Sequence, residues 1–228
     1  MNSTWLWVDS GPGEPAKNMA FDQALLENAA SLAGPILRFY GWTQPAATFG
    51  YFQRVEEILM KTELRPLVRR PTGGGFVPHD HDWTYSLVVP PSHWWHRLTA
   101  RESYRRVHEW IMKALAESGV TTELCPAKIT GTNGSCFSGA EQFDLVWRGL
   151  KVAGAAQRRN SLGLLIQGSV APAKNWPARD FWQQSMRQVL AWELGVSWLP
   201  WDVGDSFMAR VESLSKTKFG SLDFTHKR

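Results

Sequence analysis

The sequence has few cysteines and no long apolar segment. It contains two cysteines, Cys125 and Cys136, and two thiols cannot form the multi-bridge framework of a small secreted protein. The first residues lack the basic and uninterrupted apolar regions of a secretory signal, and no apolar run approaches the ~18 residues that a membrane span needs. These absences predict a cytoplasmic protein with reduced thiols and no membrane contact.

Repeats, low-complexity tracts and linkers rich in proline, glycine or serine are also lacking. With 43% apolar and 20% charged residues, the sequence is typical of a folded globular chain. We therefore expect one domain over residues 1–228, with no separate accessory domain. The net charge of +4 is compatible with nucleic acid, a phosphate-bearing cofactor or an acidic carrier protein as partner.

Two helices are predicted from the spacing of apolar residues. The first covers residues 99–118, where Thr99 begins a capping box and a glycine ends the helix. The second covers residues 178–194 and ends before Gly195. The spacing predicts an inward face made of Phe181, Met186, Val189, Leu190 and Leu194.

A third helix is predicted over residues 18–30, with Asn18 as the N-cap and Asp22 in the first turn. Between the helices, β-branched and aromatic residues cluster in short runs. The predicted strands cover residues 36–40, 46–50, 83–89, 143–147, 150–157 and 162–170. A tight hairpin turn is predicted at Arg148-Gly149, between the fourth and fifth of these strands. Because the strands cluster while the helices occur singly, the pattern favours an α+β fold over a doubly wound parallel sheet.

Residues 69–80, RRPTGGGFVPHD, form the most unusual segment of the chain. Three successive glycines let a ligand approach the main chain, whose N–H groups can then face an anion or a carbonyl oxygen. Two arginines add positive charge. A flexible surface turn is the alternative, since the segment lacks the Gly-Lys-Ser/Thr ending of a P-loop.

Histidine and aspartate alternate over residues 79–82, and alternate residues of a strand share a face. A catalytic zinc needs at least three protein ligands, and no cysteine pair accompanies these residues. We therefore predict no metal site.

Residues 149–157, GLKVAGAAQ, form a second candidate ligand surface. Lys151 leads a strand of very small residues, so a ligand can lie along a shallow part of the sheet with the ammonium beside its polar end. An exposed strand lysine next to close sheet packing is the alternative.

The two cysteines differ in their surroundings. Cys136 lies in a polar loop that contains glycine, and a thiol in such a loop near cations is better placed to be a thiolate than one in an apolar core. Cys125 precedes a proline and is predicted to be a buried, unreactive thiol.

These segments resemble, in this order, the lipoate branch of the biotin/lipoate protein ligase superfamily. Residues 18–26 are similar to its first helix, residues 69–80 to its signature RRxxGGGxVxHD, and residues 151–157 to its lysine strand. The resemblance covers residues 18–171. It implies an α+β fold with mixed, largely antiparallel sheets flanked by helices.

Two chemistries occur in this branch. Octanoyltransferases take an octanoyl group from the thioester of acyl carrier protein, hold it on a cysteine, and pass it to a lysine of a lipoyl-acceptor domain, in a dehydrogenase E2 subunit or the glycine cleavage H protein. Lipoate ligases use ATP and Mg to make lipoyl-adenylate. The position of Cys136-Phe137, the pair Phe143-Asp144 and the chain length favour the transferase, which needs no cofactor.

The resemblance also implies roles for individual residues. Cys136 attacks the thioester, main-chain N–H groups of the glycine run stabilise the oxyanion, and Lys151 polarises the acyl carbonyl or helps to shuttle protons. His79 is an alternative base. The implied substrate-binding residues are Arg69, Arg70, Gly73, Gly74, Gly75, Val77, Asp80, Val152, Ala153, Gly154, Ala155, Gly168 and Ser169.

A non-catalytic module that binds acyl groups or nucleic acid is the alternative of another class. Pairs of adjacent arginines and many aromatic residues motivate it, because basic patches with stacking rings bind single strands. The sequence contains no RRM, KH or zinc signature. We therefore predict no nucleic-acid partner.

Overall fold

The structure, a computed structural model, describes residues 3–129 and 139–227. Its strands are β1 Thr4–Gly13, β2 Ile36–Trp42, β3 Ala46–Phe49, β4 Leu67–Arg69, β5 Val77–His79, β6 Trp83–Val89, β7 Glu123–Leu124, β8 Leu145–Trp147, β9 Leu150–Asn160, β10 Gly163–Val170 and β11 Ser197–Pro200. Its helices are α1 Pro15–Glu27, α2 Val55–Leu59, α3 Ala100–Glu117, α4 Arg179–Leu194, α5 Asp205–Leu214 and α6 Leu222–Thr225. A π-helical turn, Ser215–Phe219, follows α5.

The strands form one large and one small sheet. The large sheet has eight strands in the order β11-β1-β2-β6-β10-β9-β8-β7, and the small one has the order β4-β3-β5. In the large sheet β1 runs parallel to β2 and β11, and the other pairs are antiparallel. The predicted α+β fold with mixed, largely antiparallel sheets is confirmed.

Each face of the large sheet carries its own apolar core. On one face, side chains such as Leu87 and Ile166 pack with Ile111 of α3 and Met186 of α4. The neighbouring positions in those strands point the other way and pack against α1 and α5, because side chains alternate along a strand. The result is a helix–sheet–helix arrangement. Among the described residues no helix is both long enough and apolar enough to span a membrane.

The helix predicted over residues 99–118 is confirmed as α3. The Oγ1 atom of Thr99 accepts a hydrogen bond from the Glu102 N–H at 3.1 Å, and Gly119 has a φ of +77°, a conformation that favours glycine at a helix end. Local chemistry alone determines both ends of this helix.

The inward face predicted for α4 is wrong at two positions. Phe181 is 47% exposed and Leu194 is 43% exposed. The other three predicted positions, Met186, Val189 and Leu190, are buried as expected. Trp182 joins them, because residues spaced by four share one face of a helix. The predicted face is therefore confirmed at its centre, and packing against the sheet differs from the prediction only at the two ends of the helix.

The start predicted for the first helix is also wrong. Helix α1 begins at Pro15, where a fixed φ suits the first helical position, and its N-cap is Glu14. Asn18 lies inside the helix and is buried, and its Nδ2 donates hydrogen bonds to the carbonyl oxygens of Gly13 (3.2 Å) and Gly41 (2.8 Å). Its polar side chain joins α1 to the ends of β1 and β2 instead of capping the helix.

Candidate functional site

A cavity of about 140 Å³ lies where β9 and β10 meet the loop that precedes β5. Ten of the predicted site residues line it: Arg70, Gly74, Gly75, Val77, His79, Lys151, Gly154, Ala155, Gly168 and Ser169. The remaining lining is largely apolar and includes Met19, Tyr40 and Phe76. The fold thus brings the glycine loop and the lysine strand, about 75 residues apart in sequence, to one site.

Lys151 is placed by the hairpin between β8 and β9. Arg148 and Gly149 have φ values of +51° and +79°, as a two-residue hairpin turn requires, which confirms the predicted tight turn. A bulge follows, because Val146 pairs with Lys151 whereas Leu145 pairs with Ala153. The extra residue reverses the alternation of side chains, so Lys151 shares a face with Gly154.

Gly154 leaves the space in which the lysine side chain lies. A Cβ atom at residue 154 would be 2.8 Å from the Cε and 2.9 Å from the Nζ of Lys151. The Nζ atom is 2.8 Å from an Oδ2 atom of Asp144, a carboxylate that is fully buried, while the lysine side chain is 19% exposed. The ammonium is therefore held in one direction at the cavity wall.

Asp144 is held by two further donors. Its Oδ2 accepts a hydrogen bond from the Glu141 N–H at 2.7 Å, and its Oδ1 accepts one from the Tyr104 hydroxyl. That hydroxyl in turn accepts the Ala155 N–H at 3.3 Å. Burial and the charge of Asp144 raise the pKa of Tyr104, so the phenol keeps its proton and remains a donor. The sequence did not identify Tyr104 as a site residue, because its spacing indicates only a position on the apolar face of α3.

His108 lies one helical turn from Tyr104 and is completely buried. Its Nδ1 donates to the Tyr104 carbonyl oxygen at 2.9 Å, and within the described part of the chain its Nε2 has no hydrogen-bond partner. Burial lowers the pKa of His108 to about 4. The folded protein therefore holds this imidazole neutral.

The buried imidazole predicts an acid-sensitive fold. Because the folded-state pKa lies below the unfolded value of 6.5, the unfolded chain takes up the proton first as the pH falls. This group should remove roughly 2 kcal/mol of stability between pH 7 and pH 5. In urea unfolding, the His108→Gln variant should lose less stability than wild type over that interval. Parallel losses in the two proteins would contradict this prediction.

The glycine loop is shaped by Arg70. Its guanidinium donates to the carbonyl oxygens of Gly73 (2.9 Å) and Gly75 (2.7 Å). In a trans peptide the N–H points opposite to the C=O, so the N–H groups of Gly74 and Phe76 face away from Arg70. Arg70 therefore fixes the orientation of two backbone donors beside the cavity, the N–H groups of Gly74 and Phe76.

His79 supports Arg70 through a buried threonine. Thr48 Oγ1 accepts from Arg70 Nη1 at 2.9 Å and lies 2.7 Å from His79 Nε2. Since arginine can only donate, the Thr48 proton is available to Nε2, and His79 Nδ1–H then donates to Asp82 at 2.8 Å. Trp42 stacks on the imidazole at 3.9 Å. With both ring nitrogens bonded, His79 is placed to position Arg70, and the geometry offers no ring nitrogen for the predicted role as base.

A buried ion pair lies behind the cavity. Asp22 and Arg38 are 2.7 Å apart with side chains 0% and 2% exposed. Asp22 also accepts from Gln167 Nε2 at 2.7 Å, and Gln167 accepts from Thr72 of the glycine loop at 2.7 Å. Asp22 therefore links α1 to the loop, which differs from its predicted role as a first-turn charge.

Arg69 does not reach the cavity. It is fully buried, and its guanidinium connects the loop after β3 to the last helix. It donates to the carbonyl oxygens of Tyr51 (2.7 Å), Gln53 (2.7 Å), Phe224 (3.0 Å) and Thr225 (2.8 Å). Adjacent residues of an extended segment point in opposite directions, which is why Arg69 and Arg70 serve different sites.

Four other predicted site residues also lie off the cavity wall. Val152 and Ala153 pack into the core beneath α3 and α4, because the bulge sends their side chains to the opposite face. Asp80 is exposed beyond the end of β5. Gly73 lies beside the exposed ring of Phe52, 3.9 Å from where its Cβ would be.

The two cysteines lie in different parts of the chain. Cys136 falls outside the described residues. Cys125 is buried, as predicted, and its Sγ donates to the Ala127 carbonyl oxygen at 2.9 Å. Over residues 3–129 and 139–227, no three His, Cys, Asp or Glu side chains are grouped as metal ligands would be.

With this fold and site, the chain belongs to the family described as the lipoyl protein ligase A/B catalytic domain, whose model matches residues 14–178. It is 38% identical over 181 residues to octanoyltransferase LipM of Halalkalibacterium halodurans, covering 73% of this chain and 65% of that protein. Octanoyltransferase LipM of Bacillus subtilis is 37% identical with the same coverage. The chain thus spans about 65% of the length of these relatives.

Solved structures show the same fold at lower identity. A lipoate-protein ligase A bound with ATP matches with a TM-score of 0.77 and 18% identity, over 99% of each chain. A bi-partite lipoate protein ligase from Thermoplasma acidophilum, described with its E2 lipoyl domain, matches with a TM-score of 0.72 and 18% identity, over 99% of this chain and 96% of that one. At this identity the likeness establishes the fold.

Proposed function

We propose that the protein is an octanoyltransferase of lipoate biosynthesis. It moves an octanoyl group from the thioester of acyl carrier protein, through Cys136, to a lysine of a lipoyl-acceptor domain, in the cytoplasm and without a cofactor. The observation that carries the proposal is the Lys151 ammonium, held by buried Asp144 at the wall of a largely apolar cavity. The LipM relatives support the choice of acyl group.

In the first step the Cys136 thiolate attacks the thioester carbonyl carbon. A new C–S bond forms, and the carbonyl oxygen becomes an oxyanion that fixed donors stabilise. Lys151 and the N–H groups oriented by Arg70 are the donors beside the cavity. The bond to the carrier sulfur then breaks, the carrier leaves as a thiolate that takes up a proton, and octanoyl-Cys136 remains.

In the second step the ε-amine of the acceptor lysine attacks the acyl-enzyme. An amide C–N bond forms and the C–S bond to Cys136 breaks. The amine loses a proton, and the released Cys136 thiolate takes up a proton in its place. The apolar lining, which includes Met19, Phe76 and Val77, suits an alkyl chain through both steps. The acceptors we propose are the lipoyl domain of dehydrogenase E2 and the glycine cleavage H protein.

Mass spectrometry tests this proposal directly. The purified chain is incubated with octanoyl-acyl carrier protein and an acceptor domain, with and without ATP. We expect an octanoylated acceptor in both samples and, without acceptor, an enzyme heavier by one octanoyl group. The Cys136→Ala variant should show neither product, because it lacks the nucleophile.

Cys125→Ala is the matched control, because it removes the buried thiol and leaves Cys136 in place. This variant should still form the acyl-enzyme. Full transfer by Cys136→Ala would contradict the cysteine mechanism. Transfer only with ATP and a free fatty acid or lipoate would instead establish an ATP-dependent ligase.

A further inference from the structure

Three cations lie around two neighbouring aromatic rings, Tyr51 and Phe224, next to the cavity. Arg158 Cζ and Lys227 Nζ each lie 5.9 Å from the centre of the Tyr51 ring, and Lys227 Nζ is 3.5 Å from the Tyr51 hydroxyl. Lys218 is half-buried against Phe224, with its Nζ 5.2 Å from that ring. We call Arg158, Lys218 and Lys227 the cationic rim.

The cationic rim has no salt-bridged carboxylate among the described residues. Across the residues that the structure describes, none of its three members forms an ion pair within 4.0 Å. Burial and then the charge of Arg158 lower the pKa of Lys218, and the charge of Glu27 offsets only part of this shift. Like charges held this close repel one another, and an arriving anion would relieve that repulsion.

The rim lies at the glycine-loop end of the cavity. Arg158 is two residues beyond Ala156 on β9, so the two side chains share a face, and Ala156 lines the cavity. Tyr51 N–H donates to the Thr72 carbonyl oxygen at 2.8 Å. By contrast, Arg159 points to the opposite face, where it donates to the Trp95 carbonyl oxygen at 3.3 Å.

We propose that the cationic rim binds the phosphate of the phosphopantetheine arm that carries the acyl thioester. The inference rests on the proposed function, in which acyl carrier protein delivers the octanoyl group on such an arm. An arm that enters at the rim places its phosphate among the three cations and extends its thioester end along β9 towards Lys151. Charge-assisted hydrogen bonds to a phosphate suit both arginine and lysine.

Direct binding tests the site without turnover. Phosphopantetheine and pantetheine, which differ by the phosphate, are titrated into the protein by calorimetry. We expect wild type to bind phosphopantetheine about tenfold more tightly than pantetheine. A tenfold difference in affinity corresponds to about one charge-assisted hydrogen bond. The Arg158→Gln/Lys218→Gln variant should bind the two compounds equally. Equal binding by wild type, or an undiminished preference in the variant, would overturn the proposal.

A control variant removes the same charge elsewhere. Arg105→Gln/Lys113→Gln changes one arginine and one lysine of α3, on the other side of the sheet, and should keep the tenfold preference. A loss of preference in this control would show a non-specific effect of net charge and overturn the assignment. Thermal melting of both variants verifies that they are folded.

Turnover separates this inference from the proposed function. With octanoyl-phosphopantetheine as donor, the rim variant should show a KM about tenfold higher than wild type, with kcat unchanged. With octanoyl-pantetheine the two proteins should be alike. If wild type binds phosphopantetheine preferentially but transfers octanoyl from neither donor, the proposed function fails and the anion site stands. A defect seen only with the intact carrier protein would mean that the rim contacts acidic side chains, which overturns the phosphate assignment.

Discussion

Replacing Lys151 by glutamine is expected to lower kcat/KM for octanoyl transfer about 100- to 1,000-fold, the usual cost of removing a fixed donor from an oxyanion site. The reason is the position of the ammonium, 2.8 Å from buried Asp144 at the cavity wall. A glutamine amide can still donate a hydrogen bond to Asp144, so the fold should persist, as a thermal melt can verify. Steady-state transfer from octanoyl-acyl carrier protein measures the effect.

A second variant tests the position of the lysine while keeping its charge. Gly154→Ala puts a methyl group 2.9 Å from the place now held by Lys151 Nζ, so the ammonium must move. We expect a fall in kcat of at least about tenfold, since displacement of a catalytic group by 1 Å is costly.

Gly204→Ala is the matched control for this variant. Its added methyl group meets no atom within 4 Å, at a φ of −74° that alanine adopts readily. It should transfer at the wild-type rate. A Gly154→Ala enzyme as active as this control, or a Lys151→Gln enzyme within tenfold of wild type, would contradict the role assigned to the ammonium.

The largest effect on stability is expected at Asp22. The Asp22→Asn substitution leaves the Arg38 charge buried, 2% exposed, without its carboxylate. Breaking a buried pair in this way costs about 3–5 kcal/mol, which lowers the melting temperature of a domain of this size by about 10 °C. Differential scanning fluorimetry at pH 7 measures the shift.

Two comparison variants show whether the unpaired buried charge of Arg38 causes the loss of stability in Asp22→Asn. Glu193→Gln breaks the exposed pair with Lys113, whose side chains are 41% and 47% exposed, and should cost no more than about 1 kcal/mol. Asp22→Asn/Arg38→Met removes both charges and should recover part of the lost stability, because no unpaired charge remains buried. A double variant less stable than Asp22→Asn would mean that the loss comes from packing and not from charge.

Elements governed by neighbouring residues were predictable from sequence. The capping residues of α3, the glycine after α4 and the turn at Arg148-Gly149 act within a few residues, so their chemistry is visible in a short window. Strand β6 has the predicted bounds of residues 83–89. The N-terminal strand β1 was missed, because it pairs with β2 and β11 from distant parts of the chain.

The glycine loop and Lys151 were also visible in the sequence, since unusual residue types mark them. The supporting residues were not, because Tyr104 and Thr48 are ordinary residues of a helix and a strand. Only the packing of α3 against β9 brings Tyr104 to Asp144, and only the small sheet brings Thr48 between His79 and Arg70.

Short-range signals in the sequence were thus sufficient for the fold class, for α3 and for the two segments that meet at the cavity. The direction of each side chain was decided by the tertiary structure. One bulge in β9 turns Lys151 towards Gly154 and sends Val152 and Ala153 into the core. A one-residue change in register reverses every subsequent side chain of a strand, and the pairing that sets it depends on strands far apart in sequence.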